Sequence, residues 1–394
     1  MRLCSSDPGL AELLGHELPS PEAARKFPTA FHEEKKIQEA QQRRLPDQLA
    51  YIPEENRALE GLGRVHQDLV QRFGERCPDQ KIATGDQDAT IIESHKREAR
   101  YTYEGSRGYQ PMLAVWAEMD AILADEFRDG NVPAQMAPLT VAPAAFAALP
   151  KTVTSYYYRG DSACHEQGLL RWLLDEQRAD GPPGFIGFAI SARMSEALHA
   201  AIRSVPETAW KAYGKPEADV DRECAEVVFV SGEELEPQGA QPLRYVAIRL
   251  RQRQGGLFSD GSSALHFAVL SNLWDGEPVK LIAWHREKAG TIERVHDVLK
   301  NELAAGVLPS KYFGANAPTR SGLAVIAYNV LTALKRLALP ADLLTARPKR
   351  LRFLIFYTAG RLVHHARQMR LRVAQAIERI AAWTEAVQLL PLPT

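Results

Sequence analysis

Four cysteines in 394 residues, Cys4, Cys77, Cys164 and Cys224, are too few and too far apart for a disulfide framework, and no CxxC pair suggests a zinc knuckle. Long apolar runs are missing too. The longest, residues 323–334, contains Asn329 and stops at Lys335, short of the roughly 20 residues that cross a bilayer. Residues 1–15 lack a basic start followed by an apolar stretch, so no secretory signal, no membrane partner and a cytoplasmic location are expected. Excess positive charge is also absent: 48 Lys and Arg against 49 Asp and Glu give a formal net charge of −1. A chain that grips many phosphates usually shows a basic excess. Nucleic-acid binding therefore requires the basic residues to be segregated.

They are. Between residues 347 and 372 stand Arg347, Lys349, Arg350, Arg352, Arg361, Arg367, Arg370 and Arg372, with no Asp or Glu among them. One charge run is ordinarily a solvated face; this one, interrupted by Phe353, Phe356 and Tyr357, fits a phosphate-tracking surface. Hydrophobic residues at 45% and charged residues at 25% predict a folded chain, and its length predicts more than one domain.

Along the chain, Ser20-Pro21-Glu22 reads as a helix start, and Leu59, Leu62, Val65, Leu69 and Phe73 as the inner stripe of a second helix. Strands are expected at residues 82–92, 110–116, 121–127, 153–158 and 185–190, with helices near 132–150 and 164–177. Residues 225–230, 244–250, 265–270 and 280–284 read as further strands after a helix at 195–203, and from Thr291 the pattern is helical almost to the end. Such an order suits an α/β core interrupted by a β-rich insertion.

Three acidic positions carry the chemistry. Asp86 and Asp88, two apart on a strand, share one face. Aspartate pairs are common in turns and rare in strands; a strand that keeps two must offset their desolvation, and metal coordination is one way. Asp161, where a strand passes into a helix, is either an N-cap or a carboxylate delivered to the sheet's mouth. Glu293 lies beside the apolar stripe Ile292, Val295, Leu299 and Leu303, on another face with Asp297 and Lys300, where helical ion pairs are the ordinary explanation. Together the three match two-metal phosphoryl transfer, in which carboxylates hold ions roughly 3.5–4 Å apart. Hard oxygen ligands favour Mg²⁺, or Mn²⁺, over zinc.

On these residues the chain resembles the DDE transposases of bacterial insertion sequences, whose RNase H-like catalytic domain carries a β-rich insertion. The likeness runs from about residue 80 to 375. Asp86-Gln87-Asp88-Ala89-Thr90, Arg107-Gly108-Tyr109-Gln110-Pro111, Arg159-Gly160-Asp161-Ser162-Ala163, Thr291-Ile292-Glu293, Leu299-Lys300-Asn301, Ala327-Tyr328-Asn329 and the basic tail carry it. The resemblance implies Asp88, Asp161 and Glu293 as catalytic and metal-binding carboxylates, with Asp86 a neighbouring or alternative ligand. The Glu-x6-Lys spacing is met by Glu293 and Lys300. At the family's Arg four residues before the glutamate stands Ala289, with His285, Arg286 and Lys288 close by.

The fold so implied is α/β: an RNase H-like mixed sheet flanked by helices. A helical N-terminal region would span 1–78, the core 79–190 and 285–340, the β-rich insertion 191–284, and a basic helical C-terminal region 341–394. The implied activity is metal-dependent cleavage of element ends and strand transfer by two Mg²⁺ ions, with DNA as partner and a homodimer on paired ends. Lys300, Arg286, Lys288, Arg350, Arg352, Arg361, Arg367 and Arg370 would meet the DNA. The alternatives are a nuclease on the same core without strand transfer and an inert DNA-binding derivative. Trp274 and Trp284 are either core residues or platforms for an unpaired base.

Overall fold

A computed structural model of the chain describes residues 8–96, 98–214, 219–230, 242–252, 257–258, 262–357, 360–365 and 368–373. Helices α1 (Pro8–Leu14), α2 (Pro21–Lys26), α3 (Glu34–Arg43) and α4 (Arg57–Glu75) come first. Ser20 caps α2 by accepting a hydrogen bond from the Ala23 amide, ahead of Pro21. Asn56 caps α4 through the amides of Ala58 and Leu59, and its own amide donates to the Phe31 carbonyl at 2.8 Å. One side chain thus starts the helix and fastens the preceding segment to it. The inner stripe of α4 runs through His66, Val70 and Phe73, one residue later than Val65 would place it; Val65 is 57% exposed. A buried histidine is tolerated there because its Nε2 lies 3.0 Å from the Ile122 carbonyl.

The main sheet begins with β1 (Ile82–Ala89), followed by three short strands, β2 (Ile92–Glu93), β3 (Arg100–Tyr101) and β4 (Arg107–Tyr109). Then come β5 (Met112–Trp116), β6 (Ala121–Glu126), α5 (Val141–Ala147), β7 (Ser155–Gly160), α6 (Gln167–Leu174) and β8 (Ile186–Ser191). In the main sheet these strands are ordered β6-β5-β1-β7-β8. β5 is antiparallel to both β1 and β6, while β7 and β8 run parallel to β1. Five strands with only the second reversed form the expected RNase H-like arrangement.

Helix α7 (Glu196–Arg203) and strands β9 (Lys211–Ala212), β10 (Val220–Val227), β11 (Arg244–Gln252) and β12 (Ala264–Ser271) follow. The inserted strands do not build a sheet of their own. β12 pairs antiparallel with β8, Leu270 opposite Ile190, and the sheet continues through β11 and β10 to β9, nine strands in all.

Residues 280–284, expected as a strand, lie instead in α8 (Pro278–Asn301), a helix of 24 residues and about 36 Å. Pro278 suits a first helical turn, and Leu281 and Ile282 recur with Lys288, Ile292, Val295 and Leu299 on a helical rather than an alternating pattern. The first half of α8 packs Leu281 and Ile282 on Val246, Ile248 and Val269 of the inserted strands. Its second half packs Ile292, Val295 and Leu299 on Leu113, Val115 and Ile122. Each such side chain contributes about 1.5–3 kcal/mol. Helices α4, α5, α6 and α7 cover the opposite face through Phe73, Phe146, Leu169 and Ile202.

The chain continues through α9 (Phe313–Ala317), α10 (Val325–Ala338) and α11 (Pro348–Leu351) to a hairpin, β13 (Gly360–His365) and β14 (Gln368–Val373). The C-terminal region is therefore not helical throughout. In β14 arginine alternates with apolar residues at a period of two, a strand pattern within a basic run.

Candidate active site

Strand β1 alternates sides. Gln87 turns toward α5 and donates to the Pro138 carbonyl, whereas Asp86 and Asp88 turn toward α8. The two aspartates then meet different surroundings.

Asp86 is fully buried. Arg159 of β7 forks onto it, Nε to Oδ1 at 2.6 Å and Nη2 to Oδ2 at 3.0 Å, and the Thr291 hydroxyl of α8 donates to Oδ2. The same guanidinium donates to the Trp284 carbonyl at 2.6 Å and to Glu287 at 3.0 Å, with its carbon 5.3 Å from the Trp284 ring centre. Asp86 thus ties β1, β7 and α8 together. Trp284 serves that packing, while Trp274 is 47% exposed.

Asp88 lies one pleat closer to the sheet's end, with a fifth of its side chain exposed. Lys288 Nζ is 3.3 Å from Oδ1, and His296 Nε2 is 3.9 Å from Oδ2. In the parallel register Asp86 faces Arg159 and Gln87 faces Gly160, and Asp161, the next residue of the chain, comes within electrostatic reach of Asp88. Asp161 also caps the turn after β7, accepting from the Ala163 amide at 3.0 Å. The N-cap reading of that residue holds. Burial pushes the Asp88 carboxyl up; Lys288 opposes this and the charge of Asp161 adds to it. Burial alone would lower Lys288, but Asp88 and Asp161 outweigh it and hold the ammonium above its usual value.

Two neighbours fix the strand end. A Cβ on Gly160 would lie 2.5 Å from Cys164 Cβ, so only glycine lets the turn fold back this closely. His285 Nε2 lies 3.0 Å from the Gly160 carbonyl, and burial pushes its pKa down to about 4, so the ring is neutral at ordinary pH and donates there. Burial also pushes the Cys164 thiol up to about 12, which makes it an inert packing group.

The remaining sequence candidates fall elsewhere. Glu293 lies on the exposed face of α8, with Ile292 and Val295 turned inward beside it. Among the described residues no three His, Cys, Asp or Glu side chains gather closely enough to hold a metal ion. Arg286 is exposed, with its guanidinium 5.1 Å from the Tyr213 ring centre, and Lys300 sits in the last turn of α8. Arg350 and Arg352 are exposed around α11. Arg361 and Arg370 are exposed on the C-terminal hairpin, where Arg361 pairs directly opposite Arg372; Arg367 lies outside the described residues.

Sequence reasoning missed Arg159 and Thr291 as partners of Asp86, although both lie inside the quoted motifs. It also left the Tyr328-Asn329 pair without a role. Asn329 clasps the backbone of β6, accepting from the Ile122 amide and donating to its carbonyl, both at 2.8 Å. Tyr328 donates to Asp120 at 2.7 Å, and Arg294 and Lys335 converge on that carboxylate. These contacts lock α8 and α10 to the β5–β6 turn.

A sequence model described as transposase DDE domain group 1 matches residues 27–392. No curated protein matches the chain. Solved structures with some likeness include a piggyBac transposase synaptic complex with hairpin DNA. It has 10% identity and a TM-score of 0.34, over 100% of this chain and 88% of that one. The Mos1 mariner paired end complex with Mn has 14% identity and a TM-score of 0.18, over 50% and 59%. The fold assignment rests on the strand order above rather than on these likenesses.

Proposed function

The chain belongs to the DDE transposase domain family, group 1, and from that membership we propose that it cuts the ends of a DNA element and joins the freed 3′ hydroxyl to target DNA. The observation that carries the proposal is the approach of Asp161, the residue that follows β7, to Asp88 on neighbouring β1 at one end of the sheet, with Lys288 as their cation. No helix among the described residues is long and apolar enough to cross a membrane.

DDE transposases depend on divalent metal, and these two carboxylates fit such an ion. Both offer hard oxygens, magnesium is commonly held by one or two carboxylates plus water, and the Lys288 ammonium marks the space beside Asp88 as cationic. Asp86 fits poorly, because its oxygens already accept from Arg159 and Thr291. Glu293 remains the third ligand by family pattern, and a second Mg²⁺ or Mn²⁺ depends on that exposed side chain. When bound, the metal supplies activation of water or a 3′ hydroxyl and neutralises the leaving oxygen. The chain supplies position and charge: in-line attack at phosphorus needs no covalent enzyme intermediate. Arg350, Arg352, Arg361 and Arg370 contact the DNA backbone in this reading, with Lys300 and Arg286 closer in, and two copies hold paired ends.

The test is cleavage of duplex DNA from the flanks of the gene in Mg²⁺. Asp161→Asn is expected to lose at least about a thousandfold in rate, roughly 4 kcal/mol. Cleavage by that variant at the wild-type rate would remove the assignment. The position of Glu293 favours a second reading, a DNA-binding derivative that does not cleave. Wild-type protein that binds the duplex yet leaves it intact across a Mn²⁺ titration would establish it. Cut ends that never join target DNA would identify a nuclease instead.

A further inference from the structure

Strands β2, β4 and β3 form a separate three-stranded sheet that begins three residues after β1 ends, just past Asp88. Its base is tightly packed. A Cβ on Gly108 would lie 2.3 Å from the Ile92 carbonyl oxygen, and one on Gly130 would lie 2.5 Å from that of Gly108. Its tip is a formed turn. The Thr102 amide donates to the Ser106 carbonyl at 2.8 Å, the Gly105 amide to that of Thr102 at 3.0 Å, and Gly105 takes the left-handed φ of +83°.

Along this tip the side chains alternate. Thr102 is buried, while Tyr101 and Tyr103 on either side of it are 63% and 77% exposed. Arg107 pairs across from Tyr101, its guanidinium carbon 5.1 Å from the ring centre. A firmly held turn therefore presents two tyrosines and an arginine outward. Tyr103 also stands within the electrostatic reach of the site. Burial first, then Glu104, then Asp88 and Asp161 raise its phenol pKa.

We propose that the Tyr101–Arg107 hairpin is a stacking platform for an unpaired DNA base beside the Asp88–Asp161 pair, with Tyr103 as the positioning residue. The proposal rests on the reading of that pair as a DNA-cleaving site, because the sheet that carries the tip starts three residues past the end of β1. An aromatic face stacks on any base, worth about 1–3 kcal/mol by alanine substitution, and adjacent Arg107 supplies charge for the backbone. Tyr101 packs against Arg107, while Tyr103 stands 77% exposed.

The probe is a duplex with a short single-stranded overhang containing 2-aminopurine, bound in Ca²⁺ to the full chain. Wild-type protein should quench or shift the 2-aminopurine signal. Tyr103→Ala should lose that change and bind about 5- to 150-fold more weakly, the equivalent of the stacking energy above. Tyr103→Phe should restore both, and a blunt duplex should bind wild type and Tyr103→Ala alike. Equal signals and affinities within twofold for Tyr103→Ala and wild type would overturn the proposal, as would failure of Tyr103→Phe to rescue. Asp161→Asn separates the two readings: it should abolish cleavage and leave the 2-aminopurine change intact.

Discussion

Asp86 and Asp88 are the same residue type on the same face of one strand, one pleat apart, yet they do opposite things. The inner aspartate is closed off by a bidentate arginine and a threonine hydroxyl, and so it assembles β1, β7 and α8. The outer one keeps some solvent contact, a second carboxylate nearby and the Lys288 ammonium at 3.3 Å. Arginine is permanently charged and matches a carboxylate with two parallel bonds, whereas a lysine ammonium on a four-carbon stem can withdraw. A carboxylate held by the first kind of partner is structure. One held by the second is available for chemistry.

The strongest way to break this comparison is at the inner level. Arg159→Met keeps most of the volume but leaves Asp86 charged and unpaired where no water reaches. Removing one partner of such a pair typically costs about 3–5 kcal/mol, a large share of the roughly 5–15 kcal/mol of a whole domain. Urea unfolding should show that loss, and Asp86→Asn in the same background should recover part of it. A loss below about 1 kcal/mol would mean that Asp86 is not committed to Arg159 and remains open to metal.

At the outer level the expected effect is smaller and differs in kind. Lys288→Met leaves Asp88 and Asp161 facing each other without a cation. Metal-free protein should lose about 1.5–3 kcal/mol, the range for a hydrogen bond to a charged group. It should also bind Mn²⁺ on the order of tenfold more tightly, about 1.4 kcal/mol, read by calorimetric titration. Added Mn²⁺ should then restore much of the lost stability, because a ligand that binds only the folded state stabilises it. Arg159→Met should show no such rescue. Equal Mn²⁺ affinity in wild type and Lys288→Met would show that the lysine does not stand in for a metal.

The spacing of Asp86 and Asp88 told which face they share, and alternation fixes that without any tertiary knowledge. It could not tell which of the two is locked, because that depends on Arg159, which register alone sets opposite Asp86. Strands β5 and β8 were legible as short apolar runs bounded by turn residues. The start of α8 was not: residues 280–284 are too few to separate a period of two from 3.6 until Pro278 is taken as a helix start. Glu293 is the sharper lesson. Its neighbours Ile292, Val295 and Leu299 already announced the buried stripe, and at 100° per residue the glutamate falls off it. In the structure Glu293 lies on the exposed face, where helical geometry puts it.

The last predicted effect appears only at acid pH and comes from between the two levels, where His285 holds the Gly160 carbonyl that separates Arg159 from Asp161. Its pKa is pushed down to about 4 by burial, against an ordinary value near 6.5. The unfolded chain therefore takes up a proton below about pH 6.5, while the folded chain resists until about pH 4. The stability from this group is present above pH 6.5 and is lost as pH falls through that window, with a slope of at most about 1.4 kcal/mol per pH unit. His285→Gln keeps a donor for the carbonyl and removes the titration, so its unfolding free energy should fall less steeply than wild type between pH 6.5 and 4. Parallel curves would mean that His285 is not held neutral. The fixed, uncharged donor would then be missing from between the locked aspartate and the open one.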